Sequence, residues 1–304
     1  MKVVLVERGG GLEREVRAAL REHGSHVLES LPDADADGAR MAGEADAVID
    51  LAEPEATSAR TDASRARTAQ QLLRDASGRA GRYVFVSSVL VYAPVPSPDS
   101  WPIQEHYPRE AHGDPSSHAY GQDCIDAEDI IIREWAPRGL RYAILRPAVL
   151  CGSATANVSS GLLEEARRRP WAAARKYAAA GVMQWVDVRD AARAVVLAAT
   201  EPTVDKDILT IAGPDGFTGP DVVDALWQGP GLLDDARPLK FDTAKAGVVL
   251  GWRPEHRISE SLATIGSMGF DRPAAPSYRP QVRWQPDWGG ARQAHRPPGM
   301  SEAW

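Results

Sequence analysis

The chain has 304 residues, 43% of them hydrophobic and 25% charged, with a formal net charge of −7 at pH 7. That length buries one large core or two modest ones, and the negative balance argues against nucleic acid or an anionic membrane surface as the main partner. Only two cysteines, Cys124 and Cys151, are present; they give no disulfide framework and fit a reducing compartment, so the cytoplasm is the expected setting.

The sequence starts directly on a short apolar run, Val3 to Val6, with no leader-like n-region and h-region. Such a run suits a parallel strand buried on both faces. Glu7 and Arg8 follow, then Gly9, Gly10 and Gly11, then a helix whose inward positions are Leu12, Val16, Ala19 and Leu20 and which stops at Gly24. A second strand is predicted around Val27 and a third over 47–52. A polar helix near 58–76 leads to another buried strand, Tyr83 to Val86. A long polar segment carrying His106, His112 and His118 precedes a helix over 120–136 and a strand from Tyr142 to Leu145. Repeated strand-helix-strand units imply an α/β fold with a doubly wound parallel sheet and right-handed crossovers. No apolar run approaches the roughly 20 residues that span a bilayer.

Two segments carry chemistry. Ser87-Ser88-Val89-Leu90-Val91-Tyr92 is followed by Tyr120-Gly121-Gln122-Asp123-Cys124. The pairing resembles the Ser-x-x-x-Tyr and Tyr-Gly-x-x-Lys signatures of extended short-chain dehydrogenases/reductases, the epimerase/dehydratase family. The likeness continues through Leu145-Arg146-Pro147-Ala148-Val149-Leu150-Cys151-Gly152, through Trp185-Val186-Asp187-Val188-Arg189-Asp190-Ala191-Ala192-Arg193-Ala194, and on to Ile211-Ala212-Gly213 and Leu250-Gly251-Trp252-Arg253-Pro254. It spans about 270 residues, with the landmarks in order. The resemblance implies a Rossmann-like core over 1–146. Over 147–272 it implies substrate-binding segments interleaved with core elements, about 184–212 returning to the core. Residues 273–304 form a Pro-, Gly- and Arg-rich extension whose Trp284, Trp288 and Trp304 either dock on the body or a second subunit, or belong to a loosely ordered tail.

Ser88 and Tyr120 fill the family's catalytic positions. The lysine that in the family holds the nicotinamide ribose and lowers the pKa of the tyrosine is replaced by Cys124. The family's Gly-x-x-Gly-x-x-Gly turn is also altered. A gapless register places its positions at Glu7, Gly10 and Glu13, and a register shifted by one gives Arg8, Gly11 and Arg14. The resemblance makes Arg8, Gly9, Gly10, Gly11, Leu51, Ala52 and Pro147 the lining of the cofactor crevice. The acid that usually binds the adenosine ribose falls at Leu31, with Asp33 out of place, and Asp50 and Glu53 stand where the family commonly has His and Ala. A unit charge at ~4 Å from a pyrophosphate costs about 4 kcal/mol at an effective dielectric near 20. The expectation is therefore weakened or lost dinucleotide binding, with no cofactor favoured. NADP(H) or NAD(H) is the alternative, with Arg8 and Arg14 as phosphate ligands.

Without its lysine, the phenol is expected to keep the ordinary tyrosine acidity of about 10 and to serve as an acid or oxyanion donor rather than a base. His118, two residues before Tyr120, is the candidate base among the three loop histidines. Cys124, one helical turn after Tyr120, reads as a packing cysteine, and Arg189 and Asp190 as structural. No zinc spacing is present; Glu7, Asp50 and Glu53 together are the sole alternative for a cation, and no metal is expected. Arg167-Arg168-Arg169-Pro170-Trp171 reads either as a contact for an anionic or aromatic ligand or as a solvated helix end, and Pro147-Ala148, where nucleotide-sugar members carry an Asn, argues against a nucleotide sugar.

The leading expectation is an atypical enzyme of this family, with a small-molecule partner. Ser88 and Tyr120 would act by acid-base chemistry on an oxygenated metabolite, in an isomerisation, cyclisation or elimination without net redox. The alternatives are an NADP-dependent ketoreductase or epimerase with a non-standard phosphate loop, and a non-catalytic ligand sensor or partner subunit. A homodimer is a family expectation.

Overall fold

The computed structural model describes residues 1–6, 11–31, 45–51, 65–75, 81–94, 101–113, 115–152, 182–218, 220–223 and 239–267. Strands β1 (Lys2–Val6), β2 (His26–Leu31), β3 (Ala47–Asp50), β4 (Tyr83–Val86), β5 (Tyr142–Pro147) and β8 (Asp207–Ile211) form one six-stranded sheet in the order β2-β1-β3-β4-β5-β8. Every neighbouring pair in it is parallel. A second, three-stranded sheet combines β6 (Val149–Cys151), β7 (Val182–Asp187) and β9 (Gly216–Thr218).

Side chains alternate along the large sheet and fill two separate cores. Val3, Leu5, Ala47, Ile49, Val84, Val86, Ala143 and Leu145 face one side. There they meet Leu12, Val16 and Leu20 of α1 (Gly11–Glu22) and the alanine-rich face of α4 (Val188–Thr200). Val4, Val6, Val48, Tyr83, Phe85 and Ile144 face the other side. They meet Ala69, Leu72 and Leu73 of α2 (Arg65–Asp75), together with Ala127 of α3 (Pro115–Asp129) and Ile131 and Trp135 just beyond it. Both faces of a parallel sheet are thus covered, as its unbroken apolar strands require. Helices α5 (Ala244–Leu250) and α6 (Ile258–Ser267) complete the described elements.

The strand order reverses between β1 and β3, because the chain runs outward to β2 on one side and then to β3 on the other. In open sheets of this kind ligands bind outside the carboxyl ends of the strands at that reversal. The doubly wound sheet matches the expectation in element order. Boundaries differ at several ends: β3 stops at Asp50, β5 runs on to Pro147, α2 is described over Arg65–Asp75, α3 starts at Pro115, where proline suits a first turn, and a π-helical turn, Ile130–Trp135, replaces its end. Gly24, with φ of 72°, closes α1 in the left-handed region that glycine enters at no steric cost. The tryptophan-bearing stretch from 273 and the arginine run at 167–169 lie outside the described residues.

Candidate active site

Strand β4 ends at Val86, and Ser87 and Ser88 follow. Ser88 keeps extended backbone (φ −157°, ψ 155°) and caps a 3-10 turn, Val89–Val91, its Oγ accepting a hydrogen bond from the Leu90 N–H at 3.2 Å. Helix α3 lies directly on this turn. A Cβ added to Gly121 would stand 2.8 Å from the Leu90 carbonyl oxygen, so glycine alone permits the approach. That contact sets the half-buried Tyr120 beside the turn that carries Ser88.

The charge in this site comes from α2. Arg65 is its first residue and is only 4% exposed. The Asp123 carboxylate of α3 accepts from the backbone N–H groups of Arg65 (2.7 Å) and Ala66 (3.3 Å). It supplies the negative charge that a helix N-terminus favours and that α2 lacks in its own first turn. From there the Arg65 guanidinium donates to the Val86 carbonyl at 2.7 Å. Its Cζ lies 4.8 Å from the centre of the Tyr120 ring and 5.9 Å from that of Phe85. Burial works against this cation, but Tyr120, Cys124 and Asp50, together with a hydrogen bond to Tyr120, outweigh it and hold its pKa above the usual arginine value.

Of the two acids expected beside the pyrophosphate, Glu7 lies outside the described residues and Glu13 has a partner; so has Asp50, which stands where the family commonly has His. Asp50 has no exposed surface, lies on the α2 and α3 side of the sheet, and accepts from the Tyr83 hydroxyl at 2.6 Å. Burial, then the Asp50 charge and that hydrogen bond, push the Tyr83 phenol well up, so it stays a donor. Glu13 pairs with Arg17 one turn along α1 at 2.9 Å.

Beneath the serines lies a second buried cluster. The Ser87 hydroxyl donates to Glu128 Oε1 at 2.6 Å. Arg146 grips the same carboxylate through Nε at 2.9 Å and Nη2 at 2.6 Å, and Arg109 adds a third donor at 2.9 Å. The end of β4, α3 and β5 are thereby locked together just below Ser88.

The structure sets Tyr120 beside the Arg65 guanidinium, and Gly121, next to Tyr120, against the turn that Ser88 caps. His118 is not part of this arrangement: it is exposed on the first turn of α3, and two helical residues before Tyr120 is about 200° around the axis. His106 is exposed, and the His112 ring lies 3.3 Å from the Glu110 carbonyl oxygen. Cys124 is fully buried, and burial pushes its thiol up, as a packing cysteine should behave. Gly11 opens α1 at the strand-order reversal, Leu51 follows β3, and Pro147 ends β5; all three are buried. Arg8, Gly9, Gly10 and Ala52 lie outside the described residues, as do Glu7 and Glu53. Among the described residues no group of His, Cys, Asp and Glu could hold a metal ion, and no helix is long and apolar enough to cross a membrane. Asp190, expected to be structural, accepts from the backbone N–H groups of Glu255 and His256 and from the Arg193 side chain.

Comparison with known proteins gives a consistent result. The sequence model of the "NAD dependent epimerase/dehydratase family" matches residues 15–226. RMD from Pseudomonas aeruginosa, solved with NADPH, superposes with a TM-score of 0.64 at 20% identity, over 88% of this chain and 98% of that one. UDP-N-acetylglucosamine 4-epimerase from Bacillus cereus gives 0.63 at 17% identity, over 88% and 98%. UDP-glucuronic acid 4-epimerase from Bacillus cereus, in complex with UDP-glucuronic acid and NAD, gives 0.67 at 14% identity, again over 88% and 98%. The comparison with curated proteins finds no match.

These findings overturn the expectation that no cofactor is favoured: the matching family is described as NAD dependent, and similar structures carry NADPH or NAD. Two features bear on that expectation: Glu13, counted as a charge beside the pyrophosphate, pairs with Arg17 along α1, and Arg65 stands beside the Tyr120 ring where Cys124 leaves the family's cation missing. The described residues fit a dinucleotide: a helix opens on a buried glycine at the strand-order reversal, with a cation beside the tyrosine.

Proposed function

The chain belongs to the NAD-dependent epimerase/dehydratase family, and from that premise we propose that it is an enzyme using NAD(H) or NADP(H) to convert a small oxygenated metabolite without net redox, by isomerisation or elimination. The observation that carries this reading is the close approach of Gly121, next to Tyr120, to Leu90 in the turn that Ser88 caps at the carboxyl end of β4. The α1 N-terminus at Gly11, with Leu51 and Pro147, would hold the dinucleotide, whose nicotinamide takes up or returns a hydride when bound.

The protein's own part is acid-base work. The Ser88 hydroxyl would orient a substrate carbonyl or hydroxyl by hydrogen bonding, and the Tyr120 hydroxyl would move a proton to or from that oxygen. The Ser87 and Glu128 lock beneath keeps Ser88 in place. Substrate would lie against segments from 147–272, as in the family plan. Its chemical class is a metabolite bearing a carbonyl or secondary hydroxyl; the similar structures named above include epimerases of UDP-sugars. Two buried thiols fit a reducing setting, and the cytoplasm is the location we propose.

Calorimetric titration with NADH and NADPH tests the reading first. Micromolar binding of either supports it, and no binding at millimolar concentration would overturn it. A substrate screen on wild type and on Tyr120→Phe then tests the chemistry, since unchanged turnover in the variant would remove Tyr120 from the reaction.

A further inference from the structure

Position 124, one helical turn past Tyr120, carries a thiol, yet a cation stands beside the Tyr120 ring. We propose that Arg65, reaching in from the first turn of α2, supplies the positive charge that governs the Tyr120 hydroxyl, acting through Tyr120 as a positioning residue. This rests on the assignment of proton transfer to Tyr120.

Three observations support it. The guanidinium Cζ lies 4.8 Å from the Tyr120 ring centre. The contact is also held from both sides, by the Val86 carbonyl on the side chain and by the Asp123 carboxylate on the backbone. Finally, the placement is costly. Arg65 falls on the same stripe of α2 as Thr68, Ala69, Leu72 and Leu73, where a core residue belongs. A buried charge there must be offset by specific partners.

The groups facing the guanidinium are Asp50 from β3, Tyr83 and Phe85 from β4, and Tyr120 and Cys124 from α3, while Asp123 of α3 holds the Arg65 backbone. Asp50 offsets the burial of the cation and is itself held by Tyr83. The thiol at 124 now has a physical reason: Cys124 lies within electrostatic range of Arg65, so an ammonium there would meet the guanidinium charge-to-charge. An arginine also differs from a lysine in function. Its charge is not lost at any working pH, so it cannot titrate away while Tyr120 does.

The test reads the phenol directly, in protein free of cofactor and substrate. The chain has seven tyrosines, so phenolate absorbance is followed against pH as the difference between each protein and its Tyr120→Phe counterpart. Arg65→Gln keeps a donor toward Val86 and removes the charge. It is expected to raise the Tyr120 midpoint by about one pH unit or more, whereas Arg65→Lys should leave it within about half a unit of wild type. A folded Arg65→Gln protein with the wild-type midpoint overturns the proposal, and so does Arg65→Lys shifting as far as Arg65→Gln. If Arg65→Gln does not fold, the wild type decides: a Tyr120 midpoint below that of a solvent-exposed tyrosine supports the proposal, and one at or above it overturns it. Because no cofactor is present, a failure of dinucleotide binding would strike the functional reading and leave this result standing.

Discussion

Glu128 and Arg146 face each other in the interior through two parallel hydrogen bonds, Nε to Oε1 at 2.9 Å and Nη2 to Oε2 at 2.6 Å, with 0% and 2% of their side chains exposed. Arg109 and Ser87 converge on the same carboxylate. Removing one member of such a pair strands the others without a counter-charge. Glu128→Gln is therefore expected to cost about 3–5 kcal/mol, read from urea denaturation. A loss below about 1 kcal/mol would show that the pair behaves like a surface one.

Gly121 sets the distance between α3 and the turn after Ser88. In Gly121→Ala the new methyl meets a backbone oxygen, which cannot rotate aside, so the helix must shift. The expected loss is about 1–3 kcal/mol of stability, accompanied by a fall in any Tyr120-dependent turnover. Thermal unfolding and turnover measured together check it. Full stability in the variant would mean that the turn adapts freely.

Tyr120→Phe removes the hydroxyl but keeps the ring on which Arg65 rests. Turnover is expected to fall by about 10²–10⁴-fold while the protein stays folded by circular dichroism. Ser88→Ala should fall less, because it loses orientation of the substrate rather than the proton carrier, and it also gives up the cap to Leu90.

Asp187 carries a pH dependence. Burial alone would raise its pKa, but hydrogen bonds from the Arg189 side chain, from Ser261 and from the Arg189 backbone hold the carboxyl below its ordinary value. A folded pKa below the unfolded one gives stability that is present above about pH 4 and lost as pH falls through the folded value. Asp187→Asn, which preserves a capping side chain for α4, should thus be less stable than wild type at pH 7. The gap should narrow steadily below pH 4 in urea midpoints taken across that range; a constant gap would point to geometry and not charge.

The two thiols should be inert. Burial raises Cys124, and burial with the nearby Asp187 charge pushes Cys151 up to about 12. A thiol reagent at pH 8 is expected to leave both untouched in the native protein and to modify both in denaturant. Fast native labelling of Cys124 would mean that the Tyr120 and Arg65 cluster opens.

The sheet was legible because two of its inner strands, β1 and β4, hold unbroken apolar runs. Val3 to Val6 and Tyr83 to Val86 announce burial on both faces without any tertiary information. Ser88 and Tyr120 were singled out because each sits in a short motif that is local in sequence. Arg65 was not, since its partner is 55 positions away and a single arginine in a polar helix looks like its solvated neighbour Arg67. One signal was available: Arg65, Ala69 and Leu72 share a stripe, and a charge on that stripe demands an interior partner. Asp50 misled for a related reason. Strand alternation from Val48 fixes which side of the sheet it faces, but only the structure shows Tyr83 and Arg65 waiting there. His118 lies about 200° around the helix axis from Tyr120, as two residues of separation foretell.

The docking of α2 against α3 has a consequence for how activity and folding are coupled. Had the cation stood on α3 itself, phenol and charge would have formed together with a single helix. Here they come from two helices that meet through Asp123, so the charged pair exists only when both are seated on β4. Loosening α2 alone would leave the sheet intact and the tyrosine in place, yet disarm it. Native-state hydrogen exchange at Arg65 and Ala66, whose amides Asp123 holds, would report how often that happens.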